Sequence, residues 1–204
     1  NISFKVKKGE TIAFIGSTGS GKSTLINLVP RFYDATVGEV LVDGINVKDY
    51  KLKDLHNKLG YVPQRAVMFT GTVSSNVSYG DNGREDISLD KIKDAVRVAQ
   101  GEEFVSKMEN TYEAHIARGG TNVSGGQKQR LAIARAIARD PEIYIFDDSF
   151  SALDFKTDSK LRSAIKKEMN DKTILIVAQR ISTIMNAEQI IVLDEGSIVG
   201  IGRH

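Results

Sequence analysis

A glycine-rich segment, Gly16–Thr24, has the residue types of a loop that binds phosphate. Four residues occupy the defining places of the pattern G-x-x-x-x-G-K-[S/T]: Gly16, Gly21, Lys22 and Ser23. Glycines let successive backbone N–H groups point into one anion-sized hollow. A helical pattern opens at Lys22 and adds the positive end of its dipole. The segment therefore predicts binding of a nucleoside triphosphate.

Two side chains of this segment have chemical roles of their own. Lys22 neutralises charge on the β- and γ-phosphates, and the hydroxyl of Ser23 is a ligand for Mg²⁺. The remaining members of the predicted nucleotide-binding loop are Ser17, Thr18, Gly19, Ser20, Gly21 and Thr24. The apolar run Thr11–Ile15 precedes the loop, which is the strand-then-helix context that the pattern requires.

Two carboxylates follow a second apolar run, Ile143–Phe146. An acid at the carboxyl edge of a strand beside a phosphate loop holds Mg²⁺ directly or through water, and we assign this role to Asp147. Asp148 lies where a general base could polarise an attacking water. A solvated carboxylate at a strand end is the alternative interpretation of Asp148, and the residue type alone leaves both open.

A second glycine-rich stretch lies at Asn122–Arg130 and contains Ser124, Gly125, Gly126 and Gln127. Ser-x-x-Gln before a helix is a capping-box pattern, which explains Ser124 and Gln127. It does not explain two glycines at a helix start, where glycine costs stability. Bare N–H groups there form an anion site, so we predict a second phosphate contact. A second such loop indicates two chains that meet with nucleotide between them.

Apolar runs and helical patterns alternate along the chain, which predicts an α/β sheet with helices on its faces. The predicted strands are Thr11–Ile15, Val40–Val42, Ile143–Phe146, Thr173–Ala178 and Gln189–Leu193. The predicted helices are Lys22–Val29, Leu89–Val98, Gln127–Ala138 and Lys156–Asn170. The first residues, from Asn1 to Val6, also resemble a strand, so we expect a longer protein upstream. Gly38-Glu39 and Asp43-Gly44 bracket a hairpin-like segment.

The middle of the chain, from about residue 65 to residue 121, has no strong buried strand pattern. Asp81-Asn82-Gly83 and Gly119-Gly120 indicate loops within it. We predict a mostly helical insert between the two halves of one α/β domain that spans residues 1–204.

Composition excludes several classes of function. No uncharged apolar run approaches the roughly 20 residues of a membrane helix. The chain has no cysteine, which excludes disulfides and thiolate metal sites and is typical of a cytoplasmic protein. A net charge of +2 is too small to indicate a nucleic-acid surface, so no nucleic-acid partner is expected.

Taken together, these motifs resemble those of the nucleotide-binding domain of ATP-binding cassette (ABC) transporters, over nearly the whole chain. Val-Ser-Gly-Gly-Gln at 123–127 resembles the signature loop, and Gln64 in Gly-Tyr-Val-Pro-Gln resembles the Q-loop residue that touches Mg²⁺. Ser151–Asp154 resembles the D-loop at the dimer interface. Pro30–Asp34 and Thr72–Gly80 are similar to stretches of the exporter branch.

The resemblance implies a P-loop NTPase core of the RecA type, with a small antiparallel β-subdomain and an inserted helical subdomain. It implies a head-to-tail pair of such domains, with ATP and Mg²⁺ between one P-loop and the other signature loop. A membrane domain fused upstream would carry the transported small molecule, at the cytoplasmic face of the plasma (inner) membrane. The aromatic residue that stacks on adenine is expected before Asn1.

Two catalytic positions depart from the family pattern. Asp148 stands where the family has a glutamate base, and one fewer methylene retracts the carboxylate by about 1 Å, enough to cost on the order of 10²-fold in rate. Gln179 stands in the place of the switch histidine and cannot shuttle a proton. Ile116–Gly120 also departs from the pattern of symmetric exporters. These features resemble the degenerate-site subunit of heterodimeric bacterial multidrug-type exporters, which has an impaired site and an intact signature loop.

Two alternatives stay open at this point. Asp148 and Gln179 would serve adequately in a competent homodimeric exporter. The second alternative is a non-transport member of the superfamily that acts on DNA or ribosomes. Against it, the sequence shows no long coiled-coil insertion, tandem cassette or basic stripe.

Overall fold

The computed structural model describes residues 2–80, 83 and 86–204. In chain order its strands are β1 (Thr11–Ile15), β2 (Leu41–Val42), β3 (Ile45–Asn46), β4 (Leu59–Val62), β5 (Gly71–Thr72), β6 (His115–Ile116), β7 (Ile143–Asp147), β8 (Thr173–Val177), β9 (Gln189–Asp194) and β10 (Ser197–Gly202). Its α-helices are α1 (Lys22–Ile26), α2 (Leu52–Lys58), α3 (Val73–Val77), α4 (Leu89–Val98), α5 (Glu102–Ser106), α6 (Gly125–Ala138), α7 (Phe155–Glu168) and α8 (Ile181–Ile184).

A central sheet has the strand order β10-β9-β1-β8-β7-β4. Its strands are parallel except for β10, which pairs antiparallel with β9. Every residue of β8 is buried, as expected for an inner parallel strand covered on both faces. The predicted α/β class and the predicted strands at β1, β7, β8 and β9 are confirmed. The sequence patterns missed β4 and β10.

The helix predictions agree with the structure in position. α4 has the predicted bounds Leu89–Val98, and α6 and α7 lie within two residues of their predicted starts and ends. α1 is shorter than expected, since it ends at Ile26 and continues as turns. The helical patterns in the sequence did not predict α2, α3, α5 or α8 individually.

Two strand predictions need correction. The run Val40–Val42 contains the strand β2, which pairs antiparallel with β3 as the hairpin-like pattern predicts, but it is not part of the parallel sheet. The turn residues of this hairpin, Asp43 and Gly44, have φ of 52° and 76°, the positive values that tight two-residue hairpin turns require. The strand predicted at the start is wrong for residues 2–6, which form no ladder although Phe4 packs edge-on against Phe14.

The middle of the chain contains α3, α4, α5 and the short ladder of β5 with β6. α4 and α3 both pack against α6, so this region shares the large core cluster of the domain. The loop residues Asp81 and Asn82 lie outside the described residues. The proposed division into a core and an insert at residues 65–121 stays a prediction.

The sheet brings the predicted site residues to one edge. Chain segments that leave the carboxyl ends of parallel strands meet at the same edge of a sheet. β1 leads into the glycine-rich loop, β7 ends at Asp147, β4 leads to Gln64, and β8 leads to Gln179. The order of the strands therefore assembles side chains that are far apart in the sequence.

Candidate nucleotide-binding site

The glycine-rich loop between β1 and α1 requires its first glycine for space. A Cβ added to Gly16 would collide with the carbonyl oxygen of Leu193, at the end of β9. Gly16, Gly19 and Gly21 have φ of 149°, 84° and 96°, values that side chains disfavour. The backbone of the loop thus packs directly against the sheet, and its conformation depends on glycine.

Lys22 folds back over this loop. Its Nζ donates to the carbonyl oxygens of Gly16 (2.9 Å) and Ser17 (2.7 Å) and to Oγ of Ser20 (3.2 Å). Lys22 is only 8% exposed, and these three acceptors offset the cost of burying its ammonium. The positive charge is therefore held at the loop, where a phosphate would need it.

Ser23 and Asp147 meet directly. The Ser23 hydroxyl donates to Oδ1 of Asp147 at 2.7 Å, across 124 residues of sequence. Hydroxyl and carboxylate oxygens are hard ligands of the kind that Mg²⁺ prefers. This pair next to a buried ammonium fits a magnesium–phosphate complex by its donor chemistry.

Asp148 lies between two amides. Its Oδ2 accepts from Nε2 of Gln64 at 3.0 Å and from Nε2 of Gln179 at 2.9 Å. The residue is 7% exposed and has φ of 48°, so the alternative of a solvated carboxylate is wrong. Burial raises the pKa of the Asp148 carboxyl, the Gln64 hydrogen bond opposes that rise, and the nearby Asp147 charge adds to it.

Gln64 therefore contacts the Asp148 carboxylate and not the Ser23–Asp147 pair. The three predicted catalytic residues Gln64, Asp148 and Gln179 form one hydrogen-bonded group. The space beside them is small: a cavity of about 10 Å³ is lined in part by Asp148 and Gln179. That volume is at the lower limit for a single water.

The second glycine-rich stretch starts α6 with the predicted capping box. The Gln127 N–H donates to Oγ of Ser124 (3.2 Å), and the Ser124 N–H donates to Oε1 of Gln127 (2.8 Å). A Cβ at Gly125 would meet no atom within 4 Å, and one at Gly126 would lie 3.5 Å from the carbonyl oxygen of Ala152. Nothing within the described chain requires glycine at these places for space.

Ser151 and Leu153 of the D-loop accept hydrogen bonds from Arg180, three residues after the end of β8. The guanidinium of Arg180 donates to the carbonyl oxygens of Leu153 (3.2 Å) and Ser151 (3.1 Å). Ser151 in turn donates its hydroxyl to the carbonyl oxygen of Asp148 at 2.8 Å. The segment after Asp148 is thereby tied to the residue that follows Gln179.

Tyr61 and Asn27 belong to the site but have no predicted role. The Tyr61 hydroxyl lies 3.2 Å from Oδ2 of Asp147 and 3.0 Å from Oδ1 of Asn27. Burial, followed by the Asp147 charge, raises the pKa of Tyr61 above its usual range, which keeps the phenol a neutral donor. A strand prediction over Leu59–Val62 would have directed attention to Tyr61.

A larger cavity, of about 450 Å³, lies elsewhere. It is lined by residues from near both ends of the chain, including Lys5, Lys7, Glu188 and Arg203, and by none of the site residues above. The chemistry of the glycine-rich loop, and not cavity size, identifies the functional site.

Comparison with known proteins decides the family. The sequence profile described as "ABC transporter" matches residues 1–151, about three quarters of the chain. The chain belongs to the ABC transporter family. The exporter-type resemblance seen in the sequence of this ABC domain is confirmed by its relatives.

Three relatives illustrate the match. An ABC transporter ATP-binding protein of Mycobacterium tuberculosis is 48% identical over 204 residues, which is all of this chain and 35% of the relative. The ATP-dependent lipid A-core flippase of Vibrio vulnificus is 43% identical over 207 residues, again all of this chain and 35% of the relative. A bacterial Atm1-family ABC exporter solved with ATP bound matches with a TM-score of 0.94 and 35% identity, over 100% of this chain and 35% of that chain.

This ABC domain spans about a third of the length of these relatives. The high structural similarity to the Atm1-family exporter confirms the predicted fold class, a P-loop NTPase core with a β-subdomain and a helical subdomain. Among the residues that the structure describes, no helix is both long enough and apolar enough to cross a membrane.

Proposed function

We propose that this ABC domain binds MgATP and drives efflux as part of an exporter, with ATP enclosed by a head-to-tail pair of domains. The observation that carries the proposal is the hydrogen bond from Ser23 to Asp147 beside the buried ammonium of Lys22. A P-loop serine and a strand-end carboxylate in contact are the arrangement that holds a metal–nucleotide complex in P-loop NTPases.

Magnesium would be held by Ser23 and Asp147, with Gln64 as a further oxygen ligand once its amide leaves Asp148. Bound magnesium neutralises phosphate charge and orients the nucleotide. The phosphates would rest on the backbone of Ser17, Thr18, Gly19, Ser20, Gly21 and Thr24. Lys22 would exchange its carbonyl partners for phosphate oxygens, since its ammonium is already placed at the loop.

The domain's own site is proposed to be weakly hydrolytic. The Asp148 side chain is one methylene shorter than the glutamate base of the family. Its Oδ2 accepts hydrogen bonds from Gln64 and Gln179 at the same time. The Gln64 bond opposes the rise that burial gives to the Asp148 pKa, and the two amide bonds occupy the oxygen that would accept a proton from the attacking water. Gln179 supplies a donor but no titratable group at neutral pH.

The signature segment, residues 124–127, is proposed to complete a partner's site. Gly125 is exposed, and no atom of the described chain lies where its Cβ would be. The capping box satisfies one N–H of the first turn of α6 and leaves others for an external anion. A partner's ATP phosphate has the charge that this helix start favours.

The proposed partners follow from the relatives. Their names include an ATP-dependent flippase and an Atm1-family exporter, so we infer a second ABC domain and a membrane domain joined to this chain. The second domain is proposed to be non-identical, with Glu and His in the places of Asp148 and Gln179. The complex would act on a small molecule at the cytoplasmic face of the plasma (inner) membrane.

The test compares steady-state ATPase of the intact protein alone and paired with a subunit that carries Glu and His in these places. We expect low turnover alone and robust turnover in the pair. In the pair, Asp148→Asn should change the rate little, whereas loss of the partner's glutamate should abolish it. Robust ATP turnover by the protein without its partner would contradict a degenerate half-site. If Asp148→Asn also removed that turnover, the protein would instead be a competent homodimeric exporter.

A further inference from the structure

Each oxygen of the Asp147 carboxylate has its own hydroxyl donor. Oδ1 accepts from Ser23 at 2.7 Å, and Oδ2 lies 3.2 Å from the hydroxyl of Tyr61. Asn27 lies on the other side of that hydroxyl, with Oδ1 at 3.0 Å. A phenol has one proton to donate, and a carboxylate is the stronger acceptor, so we assign the donation to Asp147.

These four side chains form one frame that joins α1 to the sheet. Ser23 and Asn27 lie four residues apart, and the Asn27 N–H donates to the Ser23 carbonyl oxygen at 3.0 Å, so both face the same side of the helix. Tyr61 on β4 and Asp147 on β7 come from neighbouring parallel strands, where Tyr61 pairs with Ile145. The hydroxyl of Tyr61 is therefore fixed from the sheet, independently of the glycine-rich loop.

The ring of Tyr61 is held by packing that does not involve its hydroxyl. Its edge meets the ring of Phe32, with centroids 5.2 Å apart and an interplanar angle of 75°. Tyr61→Phe would keep this aromatic pair and remove only the donor to Asp147.

We propose that Tyr61 is a positioning residue for Asp147, holding the carboxylate in the orientation that a magnesium–nucleotide complex requires. The inference rests on the proposed function, because Asp147 is a magnesium ligand only within it. Ser23 is itself an expected magnesium ligand. Its hydroxyl oxygen would then bind the metal, so the hydrogen bond from Ser23 cannot continue to orient Asp147. Tyr61 is not an expected ligand, and its hydroxyl stays available to hold Oδ2.

The experiment measures how much Mg²⁺ the intact protein needs to bind a fluorescent ATP analogue. Tyr61→Phe should raise the Mg²⁺ midpoint about tenfold, the lower end of the effects of residues that support metal ligands. Binding of the analogue in EDTA should stay as in the wild type, and the thermal unfolding midpoint should fall only by the few degrees that loss of one hydrogen bond costs, a combination that general loosening of the fold would not give.

A matched control is Tyr50→Phe. The Tyr50 hydroxyl is half-buried and donates to the carbonyl oxygen of Val42 at 3.0 Å, in the β2–β3 hairpin and not at the site. The same chemical change there should leave the Mg²⁺ midpoint unchanged.

Three results would overturn the proposal. The first is a Tyr61→Phe midpoint within about twofold of the wild type, and the second is a lowered midpoint, which means that the hydroxyl withdraws charge and does not orient the carboxylate. The third is an equal rise of the midpoint in Tyr50→Phe. A wild-type protein that binds no nucleotide in a Mg²⁺-dependent manner would instead contradict the proposed function. The two failures are therefore distinguishable.

Discussion

The two glycine-rich loops of this ABC domain each lead into a helix, but they are supported very differently. The P-loop, Gly16–Thr24, is held by distant parts of the chain: Gly16 lies against Leu193, and Ser23 bonds Asp147. The signature segment, residues 124–127, makes its hydrogen bonds within itself, through the capping box of Ser124 and Gln127, and Gly125 is exposed. Under the proposed function, the first loop has its binding partners within its own chain, whereas the second is half a site that a partner's surface completes.

The largest effect should come from Lys22→Ala in the P-loop. Two charge-assisted hydrogen bonds to phosphate at about 1.5–3 kcal/mol each would be lost, so ATP affinity should fall on the order of 10³-fold. Equilibrium binding of a fluorescent ATP analogue measures it. Lys107→Ala, which removes the same charge from an exposed helix end, should bind normally. Unchanged affinity in Lys22→Ala would remove the distinction between the two loops.

Gly125→Ala tests the signature segment without damaging its fold. The new Cβ meets no atom within 4 Å, so thermal stability should hold. In the assembled transporter, a methyl group at the surface that faces a partner's nucleotide should displace the nucleotide by about 1 Å and slow ATPase on the order of 10²-fold.

Gly202→Ala is the matched control, because a Cβ there also meets no atom within 4 Å. Full ATPase in Gly125→Ala would show that residues 124–127 face no nucleotide, and the capping box would then be their whole explanation.

The third test asks whether the P-loop half-site is limited by Asp148 and Gln179. The double change Asp148→Glu with Gln179→His should raise ATPase of this site about tenfold to a hundredfold, by restoring carboxylate reach and a titratable partner. ATPase is measured with the partner's own glutamate replaced by Gln, so that only this site turns over. No gain would favour the competent homodimer.

The smallest of the expected effects is the loss of stability in Ser124→Ala. It removes one half of the capping box and should cost about 1 kcal/mol in unfolding free energy, measured by denaturant titration. Thr72 caps α3 with the same reciprocal bonds to Ser75, so Thr72→Ala is a control with a similar cost. A loss of transporter ATPase in Ser124→Ala but not in Thr72→Ala would separate the functional role of Ser124 from its structural one.

Much of the fold could be predicted from local pattern. The strand and helix over Thr11–Ile26 and the helix Leu89–Val98 have strong periodicity and stand where expected. The strand β4 was missed because Leu59–Val62 is short and contains a glycine, and β10 was missed because it lacks a buried face, with four of its six residues exposed. Their places depend on pairing with β7 and β9, which the local sequence does not express.

The two glycine-rich loops, the two carboxylates and the family could be predicted, because they depend on residue types at fixed spacings within short segments. The contacts between distant side chains could not be predicted and emerge from the folded sheet. Asp148 accepts from Gln64, 84 residues away, and from Gln179, 31 residues away, and Tyr61 reaches Asp147 across 86 residues. Such contacts follow from the order of strands in the sheet, which local sequence patterns do not fix.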